Sequence, residues 1–472
     1  MNKKVLLGLS GLMALSLAAC SGGAKTETTK AEETKAEETT KAGESKAEET
    51  TKADAKTDDK SGKTLKLSGL DGGYGKAGWE AVAAEFEKET GVKVELTLEK
   101  NIAETLRPVL TSGKNIPDLI YLSVGSEGKL TDTMISEKQI ADISDVLDMQ
   151  IPGENATVKQ KIIPGFTDAL TSSPYGDGKL YLAPINYSPC GLFYNAGLFE
   201  AKGWEVPKTW DEMWALGDKA KAEGIALFTY PTTGYFDAFF SALLNETAGP
   251  ANYTKLMNYD AGTWELPEVK EAFEIVGKLA EYTEENTVAN ANKDGFTKNQ
   301  QLILENKALF IPNGTWLPGE MADAPRADGF KWGFTALPAV KDGGDRYSTT
   351  FVEQIYIPEA AQNKDLAEQF IAFLYSDKAV ELFYKNSKAT IPTTNASSFI
   401  AADDENKLFY SVYDTGAKAN AVGFAAKEAI EGVDLTSAEG ILYGTVNSVV
   451  TKNKTVDDWY NAVIEAVKKY NK

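Results

Sequence analysis

The 472-residue chain contains no histidine, so its chemistry must come from carboxylates, hydroxyls, amides and aromatic rings. The commonest general base and metal ligand is absent, and with it every Ser-His-Asp or Cys-His arrangement. What recurs instead is an aromatic ring beside short polar side chains. Trp316 lies two residues past Asn313-Gly314 in "ALFIPNGTWLPGE" (308–320), where the dipeptide predicts a turn. Tyr235, Phe236 and Asp237 sit together in "YPTTGYFDAFF", and Asn186, Tyr187 and Ser188 lie between two prolines in "PINYSP". Asp71 and Tyr74 share the loop "DGGYG", where glycines allow close approach to the backbone. Ser123 and Glu127 occupy "SVGSEG", Glu353 and Gln354 occur in "STTFVEQIYIP", and Tyr443 in "GILYGTV". Flat apolar faces with polar groups at their edges suit ligand binding. Each residue also has a plainer reading, as a core aromatic, a Gly-rich turn or a strand-edge solvent contact.

The elements that must position these residues follow from periodicity. "TLKLSGL" alternates as a strand, Trp79, Val82, Ala83 and Phe86 recur at helical spacing up to Gly91, and "VKVELTL" alternates again. "IPDLIYL" and "GIALFTY" read as buried strands, while "TWDEMWALGDKAKAEG" and "DLAEQFIAFLYSDKAVELFY" read as helices. Strands alternating with helices predict an α/β fold with mainly parallel sheets and ligands in crevices at strand carboxyl ends. Phe239 and Phe240 continue into a helix and pack inside. Trp79, Trp210, Trp214, Trp332 and Trp459 are expected as core or surface packing.

Composition narrows the partners. The formal net charge is -20, and an acidic surface repels phosphate backbones and anionic headgroups, so neither nucleic acid nor peripheral membrane binding is expected. Lys3 and Lys4 precede an apolar stretch, Val5 to Ala19, that predicts a secretory signal over 1–19. It ends in "LAAC", which resembles the lipobox of bacterial lipoproteins and makes Cys20 the expected lipidation site. The only other cysteine is Cys190, read as a small buried hydrophobe. Residues 20–63 carry a Lys/Glu/Thr/Ala tract without aromatics, expected as a solvated tether.

At "GKLYLAPINYSPCGLFYNAGLFEAKGWEVPKTWDEMWAL" (178–216) the chain resembles the extracellular solute-binding proteins of carbohydrate ABC transporters, the superfamily of maltose-binding protein. "FEKETGVKVEL", "PDLIYL", "ALFIPNGTW", "WGFTALP" and "NKDLAEQFIAFL" extend the match over most of 64–472. The resemblance implies a two-lobed periplasmic-binding-protein-like fold whose hinge the chain crosses three times. Crossings are expected at 184–190, 333–338 and 377–388. One lobe would comprise 64–183 plus 339–376, the other 191–332 plus 389–472. It also implies a monomer that hands an oligosaccharide or glycoside to ABC permease subunits, held to the cell membrane only by its lipid anchor. No cofactor, metal or catalytic residue is expected.

Sugars present C–H faces and hydroxyl rims, so a sugar site needs aromatic platforms and polar rims. "NGTW" places Trp316 where the maltose-binding family stacks a tryptophan on its ligand, and Tyr235 falls at a position resembling the family's second platform. Ser188 stands where maltose-binding protein has an acidic residue, and "SVGSEG" lacks the aromatic that protein carries nearby, so those contacts are not expected here. Two readings compete: the same fold holding a polyamine or peptide through Asp71, Glu127, Asp237 and Glu353, and a glycosidase using paired carboxylates.

Overall fold

Thr64–Leu70 (β1) buries Leu65 and Leu67 in one core, as its alternation predicts. The Asp71–Gly75 loop leads into the helix Ala77–Thr90, which buries Trp79, Val82, Ala83 and Phe86. Gly91 ends that helix in the left-handed conformation, φ 73°. Lys93–Glu99 (β2) then pairs parallel with β1, and Leu119–Tyr121 (β3) pairs parallel with β1's other edge. This computed structural model describes residues 62–471 except 127, 168, 232–234, 422, 426, 428 and 429. The expected signal peptide, Cys20, nearly all of the tether and Glu127 lie outside the described residues. No helix among the described residues is long and apolar enough to cross a membrane.

A second α/β assembly is built around Ala226–Phe228 (β5), which pairs parallel with Ala308–Gly314 (β6). The helix Trp210–Ala222 feeds β5 and starts with a capping box between Thr209 and Glu212. Two long strands join the assemblies: Ala183–Asn195 (β4) and Tyr347–Tyr356 (β8). They pair antiparallel with each other, β8 pairs antiparallel with β3, and β4 pairs antiparallel with β6 and with Trp332–Thr335 (β7). Lys418–Ala421 (β9) lies parallel to β8. The result is one mixed sheet in the order β2-β1-β3-β8-β4-β6-β5. The expected parallel pairing occupies the flanks. The joining strands are antiparallel because β4 runs from the first assembly to the second and β8 runs back.

Apolar clusters cover both faces of each flank. In β3, Leu119 and Tyr121 enter one cluster and Ile120 the opposite one. In β4, Leu192 and Phe193 do the same for the second assembly. Trp79, Trp210, Trp214 and Trp459 are buried as predicted, and Trp332 is half-buried beside Phe193.

The chain passes between the assemblies partly at places other than those expected. β4 carries Ala183, Ile185 and Tyr187 in the first core and Leu192 in the second, so this strand passes from one to the other. The return is β8 itself, with Tyr347 in the second core and Ile355 in the first; 333–338 instead begins within β7, paired to β4. The third passage lies between Tyr410 of the first core and Leu435 of the second. The stretch 377–388 is not a crossing. The expected single helix over 365–384 divides at Ser376, whose Oγ accepts the Ala379 N–H at 3.1 Å and starts a new helix, Asp377–Ser387. Phe383 of that helix meets the Trp79 ring edge-on at 4.9 Å, and Ser387 Oγ accepts the Gly78 N–H at 2.8 Å. It is therefore part of the first core.

Candidate functional site

β6 ends at Asn313-Gly314, which is strand rather than the predicted turn: Asn313 pairs with Gly191 and Gly314 with Cys190. Asn313 Oδ1 accepts the Gly314 N–H at 2.8 Å, and the chain turns one residue later, at Thr315-Trp316. A Cβ on Gly314 would sit 2.2 Å from the Trp316 ring, so the missing side chain is what lets the indole lie against the backbone. The half-exposed Trp316 ring has Tyr235 at 5.4 Å and Phe351 at 5.7 Å, both tilted. Tyr235 immediately precedes the helix Phe236–Ala248, and Phe351 stands on β8. Three elements thus bring three rings together. Phe351 is the one large hydrophobic left exposed among the described residues, at 42%.

A polar group of residues continues from the rings along β8. Phe351 lies opposite Ser188 of β4, and the Ser188 and Tyr74 hydroxyls are 2.6 Å apart. Two residues on, Glu353 projects from the same face of β8 as Phe351. Its Oε2 accepts the Tyr121 hydroxyl and, at 3.4 Å, Asn186 Nδ2, which also donates to the Tyr121 oxygen at 2.9 Å. Burial pushes the Glu353 carboxyl up to about 7. Burial, and then the Glu353 charge, push the Tyr74 phenol up to about 12, with the Ser188 hydroxyl opposing. On the aromatic side, burial raises the Tyr235 phenol and the Glu320 carboxylate adds to it. Glu320 is held by Gln300 Nε2 at 2.7 Å.

The structure therefore gathers Trp316, Tyr235, Tyr74, Ser188, Asn186 and Glu353 into one strip. Asp71 lies in the adjoining loop and pairs with Lys76 at 3.6 Å. Asp237 flanks Tyr235, with Oδ1 on the Ala238 N–H and a carboxyl raised by burial. Ser123 follows β3 half-buried, its carbonyl accepting the Ser126 N–H.

Five predicted residues are placed in the interior instead. Phe236 belongs to the second core because the helix after Tyr235 turns it inward, and Tyr443, in the turn before the short helix Val446–Val450, is buried in the same core. Tyr187 packs edge-on against Phe166 and Tyr410 in the first core. Gln354, one residue out of phase with Glu353, points to the other face of β8 and accepts the Val124 N–H at 3.1 Å. Asn313 is buried beside Tyr235 and Cys190, where a small cavity opens and its Nδ2 has no partner among the described residues. Sequence reasoning passed over Phe351, Tyr121 and Glu320. For Phe351 the signal was its two-residue spacing from Glu353; Tyr121 was hidden in the apolar run "DLIYL".

The chain is similar in sequence and fold to known proteins. Residues 81–408 match the family described as bacterial extracellular solute-binding protein. The diacetylchitobiose binding protein NgcE of Streptomyces coelicolor is 26% identical over 351 residues, 71% of this chain and 72% of that protein. The galactooligosaccharide-binding protein of Bacillus subtilis is 27% identical over 317 residues, 66% of this chain and 68% of that protein. Among solved structures, the bacterial solute receptor AcbH superposes with a TM-score of 0.61 at 17% identity, covering 86% of this chain and 98% of that one. A family 1 extracellular solute-binding protein from Bifidobacterium longum subsp. infantis gives 0.59 at 18% identity, covering 87% and 100%. These likenesses establish the two-lobed solute-binding fold. The family match spans well over half of the chain, which therefore belongs to the bacterial extracellular solute-binding proteins and works outside the cytoplasm.

Proposed function

We propose that the protein is the substrate-binding lipoprotein of an ABC importer and captures an oligosaccharide or related glycoside between its two lobes. The observation that carries this reading is the Tyr235, Trp316 and Phe351 cluster merging into the hydroxyl, amide and carboxyl set of Tyr74, Ser188, Asn186 and Glu353. The rings match the C–H faces of pyranoses and the polar set matches their hydroxyl rims. The relatives named for diacetylchitobiose and galactooligosaccharides support a sugar. A polyamine is less well served: burial raises the Glu353 carboxyl to about 7, so at neutral pH it carries only part of the full charge a cation would need. A binding role without turnover fits the family, and a monomer with no cofactor or metal fits a simple capture and release cycle.

In this reading the lobes lie on either side of β4, β8 and the third passage. The closed form is favoured when ligand touches both. Cys20 carries the lipid, 20–63 tethers the lobes, and the permease subunits receive the closed form. Isothermal titration against a panel of oligosaccharides tests it. Micromolar or tighter binding of one class is expected, weakened by Trp316→Ala by more than ~1 kcal/mol through lost stacking. Failure to bind any glycan would sink the sugar reading, while equal binding by the variant would remove Trp316 from the site.

A further inference from the structure

β8 is one of the strands that join the two assemblies, and two of its side chains face the candidate site without a complete set of protein partners. Phe351 leaves 42% of its surface exposed while touching Trp316. An exposed aromatic ring beside a half-exposed one is an apolar surface awaiting cover. Glu353 has one oxygen, Oε2, engaged by Tyr121 and Asn186, and no donor among the described residues reaches its Oε1. Oε1 instead looks toward Gly72, where an added Cβ would come within 4.0 Å of it, so the glycine leaves the space in front of it open. Tyr121 and Asn186 fix the carboxyl before any ligand arrives, which lowers the ordering cost of using it.

We infer that Phe351 and Glu353 are specificity-determining residues: Phe351 extends the Trp316 platform under one sugar ring, and Glu353 Oε1 takes a hydroxyl or acetamido N–H of the next. This rests on the oligosaccharide reading and adds to it a ligand length. Residues two apart on a strand are separated by roughly 6.5–7 Å, so the two groups serve neighbouring rings of a chain better than a single ring. A monosaccharide reaches one of the two groups; a disaccharide reaches both. The donor class stays common to hydroxyl and amide, since a carboxyl oxygen accepts from either.

The test uses the full chain in calorimetry, with N,N'-diacetylchitobiose, a galactobiose and the two matching monosaccharides as probes. Wild type is expected to prefer one of the disaccharides over its monosaccharide by at least tenfold. Phe351→Ala should reduce that preference severalfold while Phe351→Tyr restores it, and Glu353→Gln should weaken the disaccharide about tenfold. Melting curves confirm that each variant is folded; Phe351 is exposed and Glu353→Gln keeps the side-chain shape. If wild type binds a disaccharide and Phe351→Ala and Glu353→Gln bind it within twofold of wild type, the inference is overturned and the sugar reading stands. If wild type binds none of the four sugars, the inference falls, and the sugar reading falls with it only if no glycan of the wider panel binds either.

Discussion

Glu353 carries a second consequence besides its place in the site. A carboxyl raised from 4.5 to about 7 keeps its proton in the folded state over a pH window in which the unfolded chain has lost it. The folded state therefore binds more protons in that window, and stability falls as pH rises from about 4.5 to about 7, then levels off. The full shift would correspond to at most ~3 kcal/mol, at 1.36 kcal/mol per unit, and less because the side chain is partly exposed. Thermal melts at pH 4.5 and pH 8 should differ more for wild type than for Glu353→Gln, whose side chain does not titrate; equal differences would refute the assignment. At this scale the sequence was legible where residue type alone spoke: Trp316, Tyr235, Tyr74 and Glu353 were singled out and do converge. It was silent about phase. Glu353 and Gln354 were indistinguishable as neighbours, and only the direction of the strand sends one to the site and the other to the Val124 amide. Tyr187 and Tyr443 failed for the same reason, since a ring that faces a cleft and a ring that faces a core have the same letters around them.

The helix pair of the first core is where local pattern and long-range packing part company. Ala77–Thr90 was fully readable, because Trp79, Val82, Ala83 and Phe86 mark one face and Gly91 the end. Asp377–Ser387 was read as the tail of a longer helix, then as a hinge, although Ser376 is a good N-cap residue. Its true place depends on contact with a helix some three hundred positions earlier, which no local spacing reveals. Gly78 is the closest point of that contact: a Cβ there would lie 2.6 Å from both Phe383 Cδ1 and Ser387 Oγ. Gly78→Ala gains up to ~1 kcal/mol of helix propensity, yet overpacking such a contact costs ~1–3 kcal/mol. The expected outcome is a lower melting temperature. A higher one would mean that the two helices separate easily and that the first core is looser there than its contacts indicate.

For the molecule as a whole, the alternation of strands and helices foretold an α/β protein, and the order of short motifs foretold its family. The positions of the passages between the assemblies were not legible, because no local pattern marks a buried strand as one that joins two cores, as the burial of β4 on both faces illustrates. If the lobes close around ligand, small-angle scattering should record a smaller radius of gyration on saturation with a sugar that calorimetry has shown to bind. Unchanged dimensions would argue for binding to a fixed surface. The ladder between β4 and β8 restricts what form such a motion takes. A one-residue slip along it would turn every side chain, Phe351 and Glu353 included, to the opposite face, so sliding is forbidden and twist about the strand pair is what remains. The pairing is interrupted once, between Pro184 and Tyr187. The two strands therefore act as a torsion bar with a single soft link, and that link sits beside Asn186, which reaches the Glu353 carboxyl.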